Sequence, residues 1–286
     1  MPTPHRAAIR REPAAPKVPE ITALFWAIKI LTTGMGEATS DFLGNLSIPL
    51  AGIVGVGGFA LAMWLQLRSP RYQAPVYWFA VVMVAVFGTI AADAVHIVGL
   101  PYAVTTLFYA AVLAAILRRW WRVEGTLSIH SIVTARRETY YWLTVLATFA
   151  LGTAAGDLTA GELGLGYFPS AVLFGAAILI PAIAWRAFGL NPVVAFWLSY
   201  VLTRPLGASV ADWLGKPPAS SGVGLGDGTV AGLALVVIIV LVGYVTVTRS
   251  DVQPDPAARR APSYPPVPAQ PNRPNRTRHS APTTSE

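Results

Sequence analysis

The chain contains no cysteine, which excludes disulfides and every metal site built on thiolates. Charge is also scarce: 12% of the 286 residues are Asp, Glu, Lys or Arg, against 54% hydrophobic, and the mean hydropathy is +0.53. A water-soluble domain needs more charge than this, so the composition points to a protein that crosses the membrane many times. The chemistry-bearing motifs of common hydrolases are missing as well. There is no serine elbow and no H-E-x-x-H. The G-x-G-D of "GLGDG" (Gly224–Gly228) lacks the Tyr-Asp partner that an intramembrane aspartyl protease requires and reads as a turn. An enzyme is therefore not expected. The N-terminal segment 1–20 has no short apolar core followed by a small-residue cleavage site, and reads as an uncleaved tail.

What is present is a series of apolar segments at about 21–43, 48–67, 75–98, 101–117, 139–160, 167–187, 192–214 and 229–248. Most approach the roughly 20 residues that span a bilayer, and 101–117 is the shortest. In lipid the backbone must satisfy its own hydrogen bonds, so an all-α bundle of eight transmembrane helices is expected. The net charge of +7 dissolves into topology once the charges are located. The N-terminal tail, every second loop and the C-terminal tail hold nearly all the Lys and Arg, including Arg68, Arg71, Arg118, Arg119, Arg122, Arg136, Arg137 and Arg186. The opposite loops hold only Lys216. The positive-inside rule then puts both termini in the cytoplasm of a bacterial inner-membrane protein. Residues 249–286 are rich in Pro and Arg and have little to bury, so a disordered cytoplasmic tail is expected there. Neither tail carries a nucleic-acid motif; the partners expected are the lipid bilayer and a small cation, and a homo-oligomer is compatible with the sequence.

The odd-numbered segments align without gaps. Trp26, Gly36 and Asp41 recur as Trp78, Gly88 and Asp93, as Trp142, Gly152 and Asp157, and as Trp197, Gly207 and Asp212. Each reads W-x9-G-x4-D. Four repeats follow, at about 21–67, 75–117, 139–187 and 192–248, each a helix going out and an apolar helix returning. Because each unit contains two spans, all four point the same way, and the bundle is pseudo-symmetric about the membrane normal. Trp and Asp are 15 residues apart, about 22 Å of helix, so the Asp residues belong in the outer half of the bilayer if the Trp residues sit in the inner aromatic belt.

The first repeat adds charge to this frame. Placed on a helix turning about 100° per residue, Lys29, Thr32, Thr33, Gly36, Glu37, Ser40 and Asp41 share one half of the surface. Thr203, Arg204, Gly207, Ala208, Ala211 and Asp212 occupy matching positions in the last repeat, with Pro205 between them. Pro205 is expected to kink that helix. Charged groups at membrane depth are costly and mark function. Glu37, Asp41, Asp93, Asp157 and Asp212 are the candidate cation ligands, with oxygen donors suited to a hard divalent ion such as manganese or magnesium. Lys29 and Arg204 are the candidate gate or ion-pair residues. Arg204 lies seven residues after its Trp and Glu37 eleven after its own, a depth difference of about 6 Å that a long side chain can cover. Gly36, Gly88, Gly152 and Gly207 are expected to let helices approach closely. His96 and Glu162 stand in the turns after Asp93 and Asp157 and read as polar helix ends. Glu37 has no counterpart in the other repeats, where Thr89, Thr153 and Ala208 take its place.

The repeated Trp…Gly…Asp hairpin, with "TTGMGEATSDFLG" in the first unit and "RPLGASVADWLGKP" in the last, resembles a bacterial family of repeat-containing membrane proteins of unknown function. The resemblance covers about residues 21–248. It implies an inner-membrane protein and supplies no activity. The residues themselves support two functions: a transporter or channel for a cation working through intramembrane carboxylates, or a structural or sensory protein whose acidic residues only hold helices together.

Overall fold

The computed structural model describes residues 15–97 and 99–253. The described residues are almost wholly helical: α1 (Ala23–Leu46), α2 (Ile48–Arg68), α3 (Ala74–Ile97), α4 (Tyr102–Glu124), α5 (Ala135–Asp157), α6 (Tyr167–Ala177), α7 (Leu179–Phe188), α8 (Pro192–Gly215) and α9 (Asp227–Thr248). A break at Ile178 separates α6 from α7, which together make one span. Local sequence sets the boundaries. Thr22, Thr134 and Asn191 accept hydrogen bonds from backbone N–H groups of the first turns of α1, α5 and α8. Ser47 closes α1 and caps α2 in a single residue. Gly125 and Gly189 end α4 and α7 with positive φ, which glycine adopts without strain.

Among the described residues, seven helical stretches are long and apolar enough to cross a membrane. The exception is α1, because it carries Lys29, Glu37 and Asp41. Its position explains how it is tolerated: α1 packs against α2, α3, α8 and α9, so its polar stripe faces protein rather than lipid. The chain is a multi-pass integral membrane protein of the all-α class. The fourth span runs to Glu124, past the apolar run ending at 117, because the helix continues through Arg118, Arg119 and Arg122.

The four leading helices of the repeats, α1, α3, α5 and α8, form a closed ring: α1 packs on α3, α3 on α5, α5 on α8, and α8 on α1. The returning helices lie outside and lean on the next repeat. Thus α2 packs on α3, α4 on α5, α6 on α8, and α9 closes the circle by packing on α1. Outward side chains such as Ile53, Leu107, Ile180, Val236 and Ile239 are exposed, as lipid-facing positions require.

Side chains repeat the circle in layers. The residue before each repeat's Trp is aromatic: Phe25, Tyr77, Tyr141 and Phe196. Each meets the Trp of the following repeat, Phe25 with Trp78 at 5.7 Å, Tyr77 with Trp142 at 5.6 Å, Tyr141 with Trp197 at 6.2 Å, and Phe196 with Trp26 at 5.7 Å between ring centroids. Tyr77 and Tyr141 also share a hydrogen bond between the neighbouring helices α3 and α5. This aromatic layer fills the Trp end of the ring. The glycine layer behaves in the same way. A Cβ at Gly36 would collide with Ala85, at Gly88 with Phe149, at Gly152 with Arg204, and at Gly207 with Thr33. Every glycine thus admits the residue seven after the Trp of the next repeat, as the expected packing role requires.

At the Trp end, the chain entering α1 is part of the packed structure. Tyr72 N–H donates to Pro16 O at 2.9 Å, Lys17 N–H to Ile132 O at 3.1 Å, and Glu20 N–H to Asp251 O at 2.7 Å. Gln253 donates from Nε2 to the carbonyls of Val18 and Pro19. Lys17 pairs with buried Glu138 at 2.6 Å, and Gln66 also donates to Glu138. Val18 is 1% exposed. Residues 15–20 and 251–253 are therefore docked into the loops of this end instead of belonging to solvated tails. Residues 1–14 and 254–286, the remainder of the expected tails, lie outside the described residues, as does the side chain of His96.

Candidate functional site

The site lies on the ring axis, in the half beyond the glycines. Arg204 comes from α8, where Asn191 and Pro192 start the helix and fix its register. Its guanidinium is 1% exposed. One nitrogen, Nη2, hydrogen-bonds Glu37 of α1, Thr89 of α3 at 2.5 Å and Thr153 of α5 at 2.7 Å. Glu37, Thr89 and Thr153 are the same repeat position, eleven residues after the Trp, so one guanidinium ties together all four ring helices. The fourth residue at that position, Ala208, is small. Thr89 Oγ1 also bonds Glu37 at 3.3 Å. The Glu37–Arg204 pair expected from their depths is present. A buried pair of this kind stabilises little in itself, because desolvation offsets attraction, yet breaking it costs about 3–5 kcal/mol.

Farther toward the Asp end, Glu37, Asp41 and Asp212 converge. Carboxylate oxygens from the three residues lie within 4.8 Å of one another. Glu37 and Asp41 share a face of α1 as i and i+4, and the α1–α8 contact brings Asp212 to them. Asp212 is 7% exposed and, among the described residues, its carboxylate makes no hydrogen bond.

Asp93 and Asp157 do not join this cluster. They occupy the matching positions on α3 and α5, are half-buried, and lie within electrostatic reach of Glu37, Asp41 and Arg204. The five-carboxylate ligand set expected from the sequence is thus three convergent groups with two flanking ones. The reason is the asymmetry of the interfaces: only α1 brings a second carboxylate, Glu37, into the ring. After Asp157 the chain makes a π-helical turn, Leu158–Glu162. Glu162 there accepts the Tyr102 N–H at 2.7 Å, so it caps α4.

Among the described residues Lys29 makes no ion pair. It is 1% exposed, and among the described residues its Nζ has no hydrogen-bond partner. It lies over the rings of Phe149, at 4.1 Å, and Tyr200, at 4.5 Å. Aromatic faces, rather than a carboxylate, surround its side-chain nitrogen here. Arg204 stands over the same Phe149 ring, its Cζ 5.6 Å from the centroid. Pro205 lies within a continuous α8 and packs beside Gly152 and Gly156.

Sequence reasoning missed Lys216. Its Nζ donates to Asp41 at 2.6 Å and Asp227 at 3.4 Å, and lies 4.0 Å from Asp212. Burial opposes its charge, but Asp41, Asp212 and Asp227 outweigh burial and hold its pKa above the ordinary lysine value. The signal was available: Lys216 is the lone basic residue on the carboxylate side. The turn that places it runs back along the end of α8, with Val223, Leu225 and Gly226 N–H groups donating to the carbonyls of Trp213, Leu214 and Gly215.

From the Asp end inward the axis therefore presents carboxylates bridged by Lys216, then Glu37 locked by Arg204, then Lys29 among aromatic rings, then the closed aromatic layer. Such an arrangement can bind a cation at one end and is shut at the other.

No curated protein and no solved structure matches this chain. A family model described as a repeat of unknown function matches four times, at residues 24–72, 76–126, 140–189 and 195–251, each match opening within the first two turns of a ring helix and running past its returning helix. These matches reproduce the four units of the ring, and the chain belongs to the DUF347 repeat family of unknown function.

Proposed function

We propose that this membrane protein is a transporter for a small cation, with Glu37, Asp41 and Asp212 as its binding site and Arg204 as the gate. The observation that carries this reading is the convergence of three carboxylates from two helices, within 4.8 Å, inside a closed ring. Grouped carboxylates at membrane depth repel one another unless a proton or cation joins them. Hard oxygen donors of this kind suit a divalent ion such as manganese or magnesium. The closed aromatic layer favours a carrier that rearranges over an open channel.

The charge distribution and the docking of 15–20 beside 251–253 both support termini on one side of the membrane. That side is the cytoplasmic face of a bacterial inner membrane, and the carboxylates open to the periplasm. No enzymatic role and no nucleic-acid partner belong to this reading.

One observation favours the second reading, a structural or sensory bundle. Arg204 and Lys216 already pair with Glu37 and Asp41. Uptake of manganese(II) into proteoliposomes separates the two. The transport reading expects uptake by the wild-type protein and none by Glu37→Gln, with both variants monodisperse in detergent. Full uptake by Glu37→Gln, or none by the wild type, contradicts it.

A further inference from the structure

The position of Lys216 deepens the cation reading, and rests on it. Its ammonium lies among the ligands where an incoming ion has to bind: 2.6 Å from Asp41, 4.0 Å from Asp212 and 3.4 Å from Asp227. Asp212, buried and, among the described residues, without a hydrogen-bond donor, converges with Glu37 and Asp41. One oxygen of Asp227, Oδ1, is buried without a partner as well. A single ammonium at these distances serves one carboxylate fully and two incompletely, and so leaves acceptor capacity that a metal ion takes up.

We propose that Lys216 is a tethered competitor, a built-in cation that holds the carboxylates in their metal-free arrangement and that a divalent cation must displace to bind. The tether is short and local. Lys216 directly follows α8, and the turn from 217 to 226 is pinned back onto the end of that helix. The ammonium can leave by side-chain rotation alone, toward the open end, since the side chain keeps 22% of its surface exposed. Displacement also sets selectivity. An ion of single charge gains little by replacing an ammonium of equal charge, whereas a divalent ion meets the same carboxylates with twice the charge.

Two measurements on the full-length protein in detergent test this. In the first, loss of the free manganese(II) paramagnetic signal reports metal binding to wild type, Lys216→Gln, Lys216→Arg and Lys216→Gln with Asp212→Asn. Removing the competitor should tighten binding about tenfold or more. Lys216→Arg should stay near wild type, and adding Asp212→Asn should abolish the gain. Equal or weaker binding by Lys216→Gln overturns the proposal while leaving the cation site standing. Absence of binding in both wild type and Lys216→Gln sinks the cation reading and this one with it. The second measurement needs no variant. Acetylation by an amine-reactive ester, read by mass spectrometry, follows Lys216 against Lys17 and Lys29 in the same wild-type molecule. Manganese(II) should speed modification of Lys216 alone. An unchanged Lys216 rate with metal bound overturns the displacement.

Discussion

At the residue scale, the site depends on one guanidinium. Arg204 Nη2 joins α8 to α1, α3 and α5 through Glu37, Thr89 and Thr153. Arg204→Ala strands a carboxylate in the core and should lower stability by about 3–5 kcal/mol, seen as a fall in the thermal midpoint of the detergent-solubilised protein. Glu37→Gln keeps a hydrogen-bond acceptor for Arg204 but leaves the buried guanidinium without its counter-charge, and should lower the midpoint measurably but by less than Arg204→Ala. A larger loss in Glu37→Gln than in Arg204→Ala would contradict this account of the pair. Much of this layer was legible in the sequence. The gapless W-x9-G-x4-D alignment identified Thr89 and Thr153 as the counterparts of Glu37, and counting from the Trp residues placed Arg204 within reach of Glu37. Two charged residues were not legible. Lys29 was expected near an anion, and the aromatic faces that replace one come from Phe149 and Tyr200 on other helices. Lys216 lies outside the repeat pattern, and its reach to Asp41 depends on how α8 and α1 pack.

At the scale of elements, the repeat is a rule for joining neighbours. The aromatic residue before each Trp, the glycine ten after it and the returning helix all engage the next unit, so the ring closes only when the fourth unit meets the first. The glycine approach is testable position by position. Gly36→Ala drives a methyl group into Ala85, backbone included, whereas Gly57 on the lipid-facing α2 has open space around it. Overpacking of the first kind costs about 1–3 kcal/mol, and Gly57→Ala should cost far less. Thermal unfolding of the two variants side by side checks this, and equal losses would contradict the ring packing. Sequence periodicity gave the eight spans and their hairpin pairing. It could not show that each returning helix leans on the next repeat, because an apolar helix in lipid carries the same pattern whichever neighbour it meets.

At the scale of the whole molecule, the axis is graded: acidic at one end, locked by Arg204 in the middle, and filled with aromatic rings at the other. The proposed orientation predicts that reporter fusions after residues 45, 163 and 220 signal the periplasm, and those after 70, 128 and 188 the cytoplasm. A cytoplasmic signal after 163 would break the parallel order of the repeats. The most direct test of the central claim is a structure determined from crystals grown with manganese(II), with the metal located by its anomalous scattering. The account predicts one site on the ring axis, bounded by Glu37, Asp41 and Asp212, with oxygens at about 2.0–2.6 Å and the Lys216 ammonium moved out of the cluster. No metal at that position, with Lys216 still bridging Asp41 and Asp227, would contradict it.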